Sequence, residues 1–154
     1  METQKIIFLD FEGVMLTDHG WDASPERWFD GQMRPFAPQS VQALNWLTQR
    51  TGAGVVLTST WRRMFPGLAQ FARMFAHFGL SRGPVGKTPL LGQRREGEIA
   101  QYLHENPVSA YVVLDDMRLA LPEDRFVWID QRHGLTLKDA QRAAELLEGF
   151  KPPV

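Results

Sequence analysis

The chain has 154 residues, the length of one compact domain, and we treat 1–154 as a single domain. Its net charge of −1 argues against an overall basic nucleic-acid-binding surface, so recognition of phosphate must depend on individual arginines. Cysteine is absent, which excludes disulfides, thiolate metal sites and cysteine nucleophiles. No segment approaches the ~20 apolar residues of a membrane span and no leader is visible, so we expect a cytoplasmic protein without membrane contact.

Four short apolar runs predict buried β-strands. Each run is continuous rather than alternating, and β-branched or aromatic residues dominate it, which is typical of strands covered on both faces of a sheet. The four runs are KIIFL at 5–9, GVVL at 54–57, AYVVL at 110–114 and RFVWI at 125–129.

Helical patterns lie between and after these runs, at 38–50, 67–78 and 96–104. A last helix opens with the capping-box pattern from Thr136 to Asp139 and continues to about Glu148. Because strands and helices alternate, we predict an α/β fold: a Rossmann-like parallel sheet with helices on both faces.

Two long segments interrupt the alternation. Residues 15–37 contain several aromatic side chains, and residues 79–95 are rich in glycine, proline and arginine. Loops of this length are commonly lids or binding loops, and 15–37 is a candidate flap or minimal cap. The alternative is that both are solvated connections with aromatic side chains packed beneath them.

Polar residues that could bind a metal or take part in catalysis follow three of the predicted strands. Asp10 and Glu12 follow the first, Thr58–Thr60 the second, and Asp115 with Asp116 the third. Parallel strands place their carboxyl ends at one edge of the sheet, where four carboxylates would repel one another. A hard cation relieves that repulsion, so the pattern favours a Mg²⁺ site. Taken singly, each cluster is equally compatible with a turn or a helix cap.

The stretches FLDFEGV, LTSTWRR and VVLDD, in this order, resemble the haloacid dehalogenase (HAD) superfamily of phosphatases and phosphotransferases. Within this superfamily the sequence resembles the small HAD domain of Swiss Army Knife RNA repair proteins, with further matching stretches at Arg95–Ile99 and Gly134–Leu137. The likeness extends from Lys5 to Leu147. It implies a HAD-like fold with a minimal or absent cap.

By this resemblance, Asp10 is the nucleophile of a Mg²⁺-dependent phosphomonoesterase and forms an aspartyl-phosphate that water hydrolyses. Asp10, the main-chain carbonyl of Glu12, and Asp115 or Asp116 would hold the metal. Thr58 would donate to a phosphoryl oxygen.

Ser59 is an auxiliary donor to the phosphoryl group. Arg95 is the expected cation that stabilises the group in transfer, and Lys87 is the alternative.

Glu12 departs from the family pattern, which has aspartate at this position as the general acid and base. The extra methylene displaces the carboxyl, and a misplacement of about 1 Å can cost on the order of 10²-fold in rate. Turnover is therefore threatened more than metal binding. A phosphate- or partner-binding module with weakened catalysis is the alternative function, and a purely structural domain is a third.

Trp61 and Arg62 are candidate substrate-binding residues. Arg62 has the geometry for a bidentate phosphate contact, and Trp61 has a ring on which a base can stack. The competing interpretation places Trp61 in the core and the arginine in solvent. The resemblance to RNA repair proteins implies a phosphorylated nucleic-acid end as substrate, beside phosphorylated small molecules.

Overall fold

The computed structural model describes residues 4–17, 36–92 and 94–150. In these residues five strands form one sheet: β1 (Gln4–Leu9), β2 (Gly54–Leu57), β3 (Gly86–Lys87), β4 (Val108–Asp115) and β5 (Phe126–Trp128). The helices are α1 (Pro38–Thr51), α2 (Ala69–His77), α3 (Arg95–Glu105) and α4 (Leu137–Glu148). Two short 3₁₀ turns, Thr60–Arg63 and Glu123–Arg125, complete the elements.

The sheet has the order β3-β2-β1-β4-β5, and every neighbouring pair is parallel. The predicted parallel α/β sheet is confirmed, and the four predicted strands and four predicted helices are present with small shifts at their ends. β3 was not predicted, because two residues are too few to form a recognisable apolar run. It lies inside the segment 79–95 that the sequence marks as a loop.

Side chains of successive strand residues point to opposite faces of the sheet, and each face has its own core. Ile7 and Leu9 of β1 lie in the larger core with buried residues of α1, α2 and α4. Ile6 and Phe8 lie in the smaller core, which α3 covers through Ile99. Helices therefore cover both faces, which explains why the strand sequences are continuously apolar.

The helix ends follow local sequence signals. Thr136 and Asp139 form a full capping box at the start of α4, in which the Thr136 hydroxyl accepts from the Asp139 amide and the Asp139 carboxylate accepts from the Thr136 amide. Gly52 ends α1 in the left-handed conformation at φ 72°.

The order of the strands in the sheet indicates at which edge a ligand would bind. From β1 the connections run to β2 and β3 on one side, whereas β4 and β5 lie on the other, so the strand order reverses beside β1. In open α/β sheets ligands bind outside the carboxyl ends of the strands at such a reversal. Leu9 pairs with Leu57 and with Leu114, so the residues after these three positions are neighbours.

Of the first long segment, 15–37, the greater part lies outside the described residues, and so does the expectation of a flap or minimal cap there. None of the helices in the described ranges is long and apolar enough to cross a membrane.

Candidate functional site

The turn after β1 is held by main-chain hydrogen bonds. The carbonyl of Phe11 accepts from the amides of Val14, Met15 and Leu16, and the amide of Gly13 donates to the carbonyl of Leu16 at 2.7 Å. The Phe11 side chain is buried in the larger core. This turn fixes the direction in which the chain leaves the sheet, with Asp10 and Glu12 on either side of an anchored phenylalanine.

Asp10, Asp115 and Asp116 converge at this edge, with one carboxylate oxygen of each lying within 4.8 Å of the others. Asp115 is fully buried and Asp10 is 5% exposed. Burial, together with repulsion from Asp115 and Asp116, raises the pKa of Asp10 well above its usual value. The pKa of Asp115 is also raised, mainly by burial. Three of the four carboxylates that the sequence predicts at this edge are therefore grouped together, and Glu12 is not in the group. The raised pKa values of Asp10 and Asp115 show that ionising them in this group is unfavourable.

Arg95, the first residue of α3, is the counter-ion of this cluster. Its Nη1 lies 2.7 Å from Oδ2 of Asp115 and 3.3 Å from Oδ2 of Asp10. Burial alone would lower the pKa of Arg95, but attraction to the two carboxylates outweighs burial and raises it. A guanidinium in this position stays charged and faces the carboxylate expected to act as nucleophile.

Lys87, the alternative cation, is directed elsewhere. From β3 its Nζ donates to the main-chain carbonyls of Phe65 at 2.9 Å and Pro66 at 3.2 Å. Within the described residues, Arg95 is the basic side chain that contacts Asp10. The geometry favours Arg95 over Lys87 for contact with a phosphoryl group.

Thr58 follows β2 and lies beside Asp10 in the register of the sheet, and its amide donates to the carbonyl of Leu9 at 3.0 Å. Its hydroxyl is buried and makes no hydrogen bond to any described residue. Leaving a buried hydroxyl unpaired costs on the order of 1–3 kcal/mol, so such groups are unusual and are often completed by a ligand.

Ser59 is committed to local structure. Its hydroxyl accepts from the Trp61 amide at 3.1 Å and caps the first 3₁₀ turn, and the residue is 1% exposed. The cap that the sequence allows for this segment is therefore formed by Ser59, whereas the neighbouring Thr58 hydroxyl is left unpaired.

Glu12 accepts a hydrogen bond from the Trp61 indole, with 2.7 Å between Nε1 and Oε1. Trp61 is 7% exposed, and its ring packs edge-on against Phe11 with the centroids 5.5 Å apart. The indole is thus part of the larger core, which matches the competing interpretation of Trp61 and leaves little ring surface for a base.

Arg62 is buried, at 3% exposure, and its donors are used within the protein. Nη2 lies 2.5 Å from Oε1 of Glu98, while Nε and Nη1 donate to main-chain carbonyls of Thr88, Thr58 and Ser59. A buried, fully bonded guanidinium of this kind holds loops together, and neither a solvated arginine nor an open phosphate ligand matches this geometry.

Two residues of this region were not singled out from the sequence. Met117 lines the cavity described below together with Thr60 of the predicted polar cluster, and Glu98 is the buried partner of Arg62. Glu98 carries a readable signal, because it is adjacent to the buried Ile99 on α3. Met117 offers none, since it simply follows the two aspartates.

At two glycines, neighbouring atoms of the site approach the backbone more closely than a side chain would allow. A Cβ at Gly13 would lie 2.5 Å from Oδ2 of Asp116, and the backbone there has φ 79°. A Cβ at Gly134, at φ 69°, would lie 2.7 Å from the carbonyl of Val14. The amide of Leu135 donates to that same carbonyl at 2.7 Å, so the segment before α4 braces the turn after β1.

A cavity of about 260 Å³ opens over the carboxylates, lined by Asp10, Glu12, Thr60, Arg95, Asp116 and Met117. Its walls combine carboxylate oxygens that can ligate a metal, one charged guanidinium and a half-exposed methionine. This composition suits a small anion held with the help of a cation.

Comparison with known proteins gives one result. The model of the HAD domain in Swiss Army Knife RNA repair proteins matches residues 6–140 of the chain. Neither a curated protein nor a solved structure matches it. The matched range includes Asp10, Arg95 and Asp115. The chain therefore belongs to the HAD family that forms a domain of Swiss Army Knife RNA repair proteins.

Proposed function

We propose that the protein is a Mg²⁺-dependent phosphomonoesterase in which Asp10 is the nucleophile. The observation that carries the proposal is the convergence of three carboxylates at the carboxyl edge of the sheet, two of which contact the Arg95 guanidinium. Membership of the HAD family supports hydrolysis of a phosphate ester. The unpaired, buried hydroxyl of Thr58 beside Asp10 supports a ligand with acceptor oxygens.

The donor set fits a magnesium ion. Its oxygens are hard ligands, three of them are grouped within 4.8 Å, and with all three carboxylates ionised a single arginine leaves an excess of negative charge. Asp10, Asp115, Asp116 and the main-chain carbonyl of Glu12 are the proposed ligands. When bound, the ion neutralises the negative charge that would otherwise keep a phosphate away from Asp10.

In the first step, one carboxylate oxygen of Asp10 attacks phosphorus, and the bond between phosphorus and the ester oxygen breaks. Glu12 gives a proton to that departing oxygen, which leaves as an alcohol. In the second step, water attacks phosphorus, Glu12 takes the proton from the water, and the bond to Asp10 breaks to release inorganic phosphate. Arg95 and the Thr58 hydroxyl stabilise the charge on the remaining phosphoryl oxygens.

The hydrogen bond from Trp61 gives Glu12 its place in this scheme. A glutamate has one more rotatable bond than an aspartate, and the indole fixes one of the resulting conformations. We assign Trp61 and Arg62 positioning roles, because both are buried and bonded to other parts of the site.

The same hydrogen bond also favours a second function. If Glu12 stays with the indole when phosphate binds, the protein binds phosphate esters without efficient turnover. In that case it is a phosphate-binding module of the same family. The substrates considered for both functions are phosphorylated small molecules and phosphorylated nucleic-acid ends, the latter because of the RNA repair proteins in which this domain occurs.

Phosphate release from an aryl phosphate and from 5′- and 3′-phosphorylated oligonucleotides tests the proposal. Wild type and Asp10→Asn are compared, each with Mg²⁺ and with a chelator. Release that needs Mg²⁺ and is lost in Asp10→Asn supports the phosphatase. Absence of release from folded wild type that still binds Mg²⁺ would reject the phosphatase in favour of the binding module.

A further inference from the structure

A second cavity, of about 350 Å³, adjoins the one over Asp10. The two cavities share Thr60, Arg95 and Met117 in their walls. A molecule with one group at Asp10 can therefore extend directly into the second cavity.

The walls of this second cavity are basic. Arg62 and Arg95 are already paired with carboxylates. The side chains of Arg63 and Arg94 are exposed and form no hydrogen bond or salt bridge with the described residues, and Arg94 has a longer-range attraction to the Glu96 carboxylate. The cavity wall thus includes two arginines whose side chains have no hydrogen bond or salt bridge to the described residues, although the whole chain carries a net charge of −1. Its carboxylate, Glu98, is already bound to Arg62.

The positive charge of this region also affects Arg62. Burial lowers the pKa of Arg62, attraction to Glu98 opposes this, and repulsion from Arg95 and Arg63 lowers it further. Like charges so placed repel one another, and an anion between them relieves the repulsion.

Apolar surface accompanies the arginines. Leu90 is 47% exposed and Met117 54% exposed, and both line this cavity. A pocket with exposed arginines and an apolar wall matches a phosphate attached to a sugar and base better than a lone inorganic ion.

We propose that Arg63 and Arg94 form a second anion subsite, which binds a further phosphate of the same substrate while the reactive phosphate lies at Asp10. This inference rests on the proposed function and narrows its substrate to molecules with two phosphate groups. The second phosphate is either the first phosphodiester of a phosphorylated oligonucleotide or the other phosphate of a nucleoside bisphosphate.

Steady-state kinetics with four substrates test the subsite: an aryl phosphate, a nucleoside monophosphate, a nucleoside bisphosphate and a phosphorylated dinucleotide. Arg63→Gln, Arg94→Gln and the double variant are compared with Arg50→Gln. Arg50 is a matched control, since it is an exposed arginine at the end of α1 and is paired with Glu148.

For substrates with two phosphates we expect KM to rise about 10-fold for each arginine replaced, the scale of one charge-assisted hydrogen bond. The dependence of KM on salt should also become shallower in the variants. For the aryl phosphate the change should be at least fivefold smaller. The substrate with the larger KM change, dinucleotide or bisphosphate, identifies the source of the second phosphate.

Equal losses on all four substrates, or no loss on any, would overturn the subsite. If the wild type hydrolyses none of them, the phosphatase proposal fails while the subsite stays testable. Calorimetric binding of the phosphorylated dinucleotide should then still weaken in the double variant and not in Arg50→Gln. Equal affinities for the dinucleotide in all variants would reject the subsite by itself.

Discussion

Nε1 of Trp61 donates a hydrogen bond of 2.7 Å to Oε1 of Glu12, which joins the residues after β2 to the turn after β1. The resemblance implies aspartate where this chain has glutamate, and the side chain of an aspartate is shorter by one methylene than the glutamate that makes this contact. The substitution at position 12 and the tryptophan at position 61 are therefore best understood as one unit.

Trp61→Phe tests this unit, because phenylalanine keeps a ring against Phe11 and removes the N–H donor. We expect kcat for an alkyl phosphate to fall about 10-fold, since a poorly oriented Glu12 protonates the departing oxygen less efficiently. An aryl phosphate with a good leaving group needs less protonation and should be affected less. Comparing kcat for the two substrates measures the effect, and equal losses would indicate general damage to the fold.

A double-mutant cycle with Glu12→Asp completes the test. The shorter carboxylate should already have lost the indole, so adding Trp61→Phe to Glu12→Asp should lower kcat by no more than about threefold. Fully additive losses would show that the two side chains act independently.

Thr58→Val removes the unpaired hydroxyl and nearly preserves the shape of the side chain. Because this hydroxyl has no partner among the described residues, we expect the free energy of unfolding to stay the same or rise. We expect kcat/KM to fall about 10- to 100-fold, as when one donor to the transition state is lost. Denaturant unfolding and aryl phosphate kinetics check the two parts, and lower stability with intact kcat/KM would contradict the account.

Gly13→Ala should weaken Mg²⁺ binding at least 10-fold, because the new Cβ would collide with the Asp116 carboxylate. Gly52→Ala is the matched control: φ is also positive, at 72°, but a Cβ there meets nothing within 4 Å. Both substitutions should cost about 1 kcal/mol of stability from backbone strain. Calorimetric titration with Mg²⁺ distinguishes the two variants. Equal metal affinities would show that the space beside Gly13 does not matter for Mg²⁺ binding.

The raised pKa of Asp10 predicts the pH dependence of stability without metal. Between the usual aspartate value of 3.8 and the higher value in the folded protein, the native state retains a proton that the unfolded chain has released. The free energy of unfolding therefore falls as pH rises through this window. Asp10→Asn removes that loss, so with chelator its Tm at about pH 7 should exceed the wild-type Tm by a few degrees.

This difference in Tm should shrink as the pH approaches about 4, where Asp10 is protonated in both states. Thermal unfolding followed by circular dichroism at several pH values measures it. A lower Tm for Asp10→Asn near neutral pH, or a difference that does not change with pH, would count against a pKa of Asp10 raised by burial and by the neighbouring carboxylates.

The sequence predicts the sheet well, because continuous short apolar runs such as 54–57 are typical of strands in a parallel sheet that is covered on both faces. It also predicts Asp10, Thr58 and Asp115 as neighbours, since the ends of parallel strands share one edge, whereas Arg95 is predicted from the family resemblance alone. It does not predict how Arg62 and Trp61 are used. Both follow a motif directly, and only the fold shows that one binds Glu98 and the other Glu12.

β3 is not predicted from the sequence for a related reason. Its two residues, Gly86 and Lys87, have no apolar pattern of their own and become a strand by pairing with Val56 and Leu57. Arg63 and Arg94 likewise resemble solvated residues in the sequence, and their common cavity becomes visible when the first 3₁₀ turn and the start of α3 are brought together.

The most direct test of Asp10 as nucleophile is intact-mass analysis of Glu12→Gln during turnover of an aryl phosphate with Mg²⁺. A good leaving group lets the first step proceed without an acid, whereas hydrolysis of the intermediate loses its base. We expect a protein carrying one phosphoryl group, located at Asp10 by peptide mapping and absent in the Asp10→Asn double variant. If wild type releases phosphate and Glu12→Gln never carries a phosphoryl group, or carries it on another residue, Asp10 is not the nucleophile.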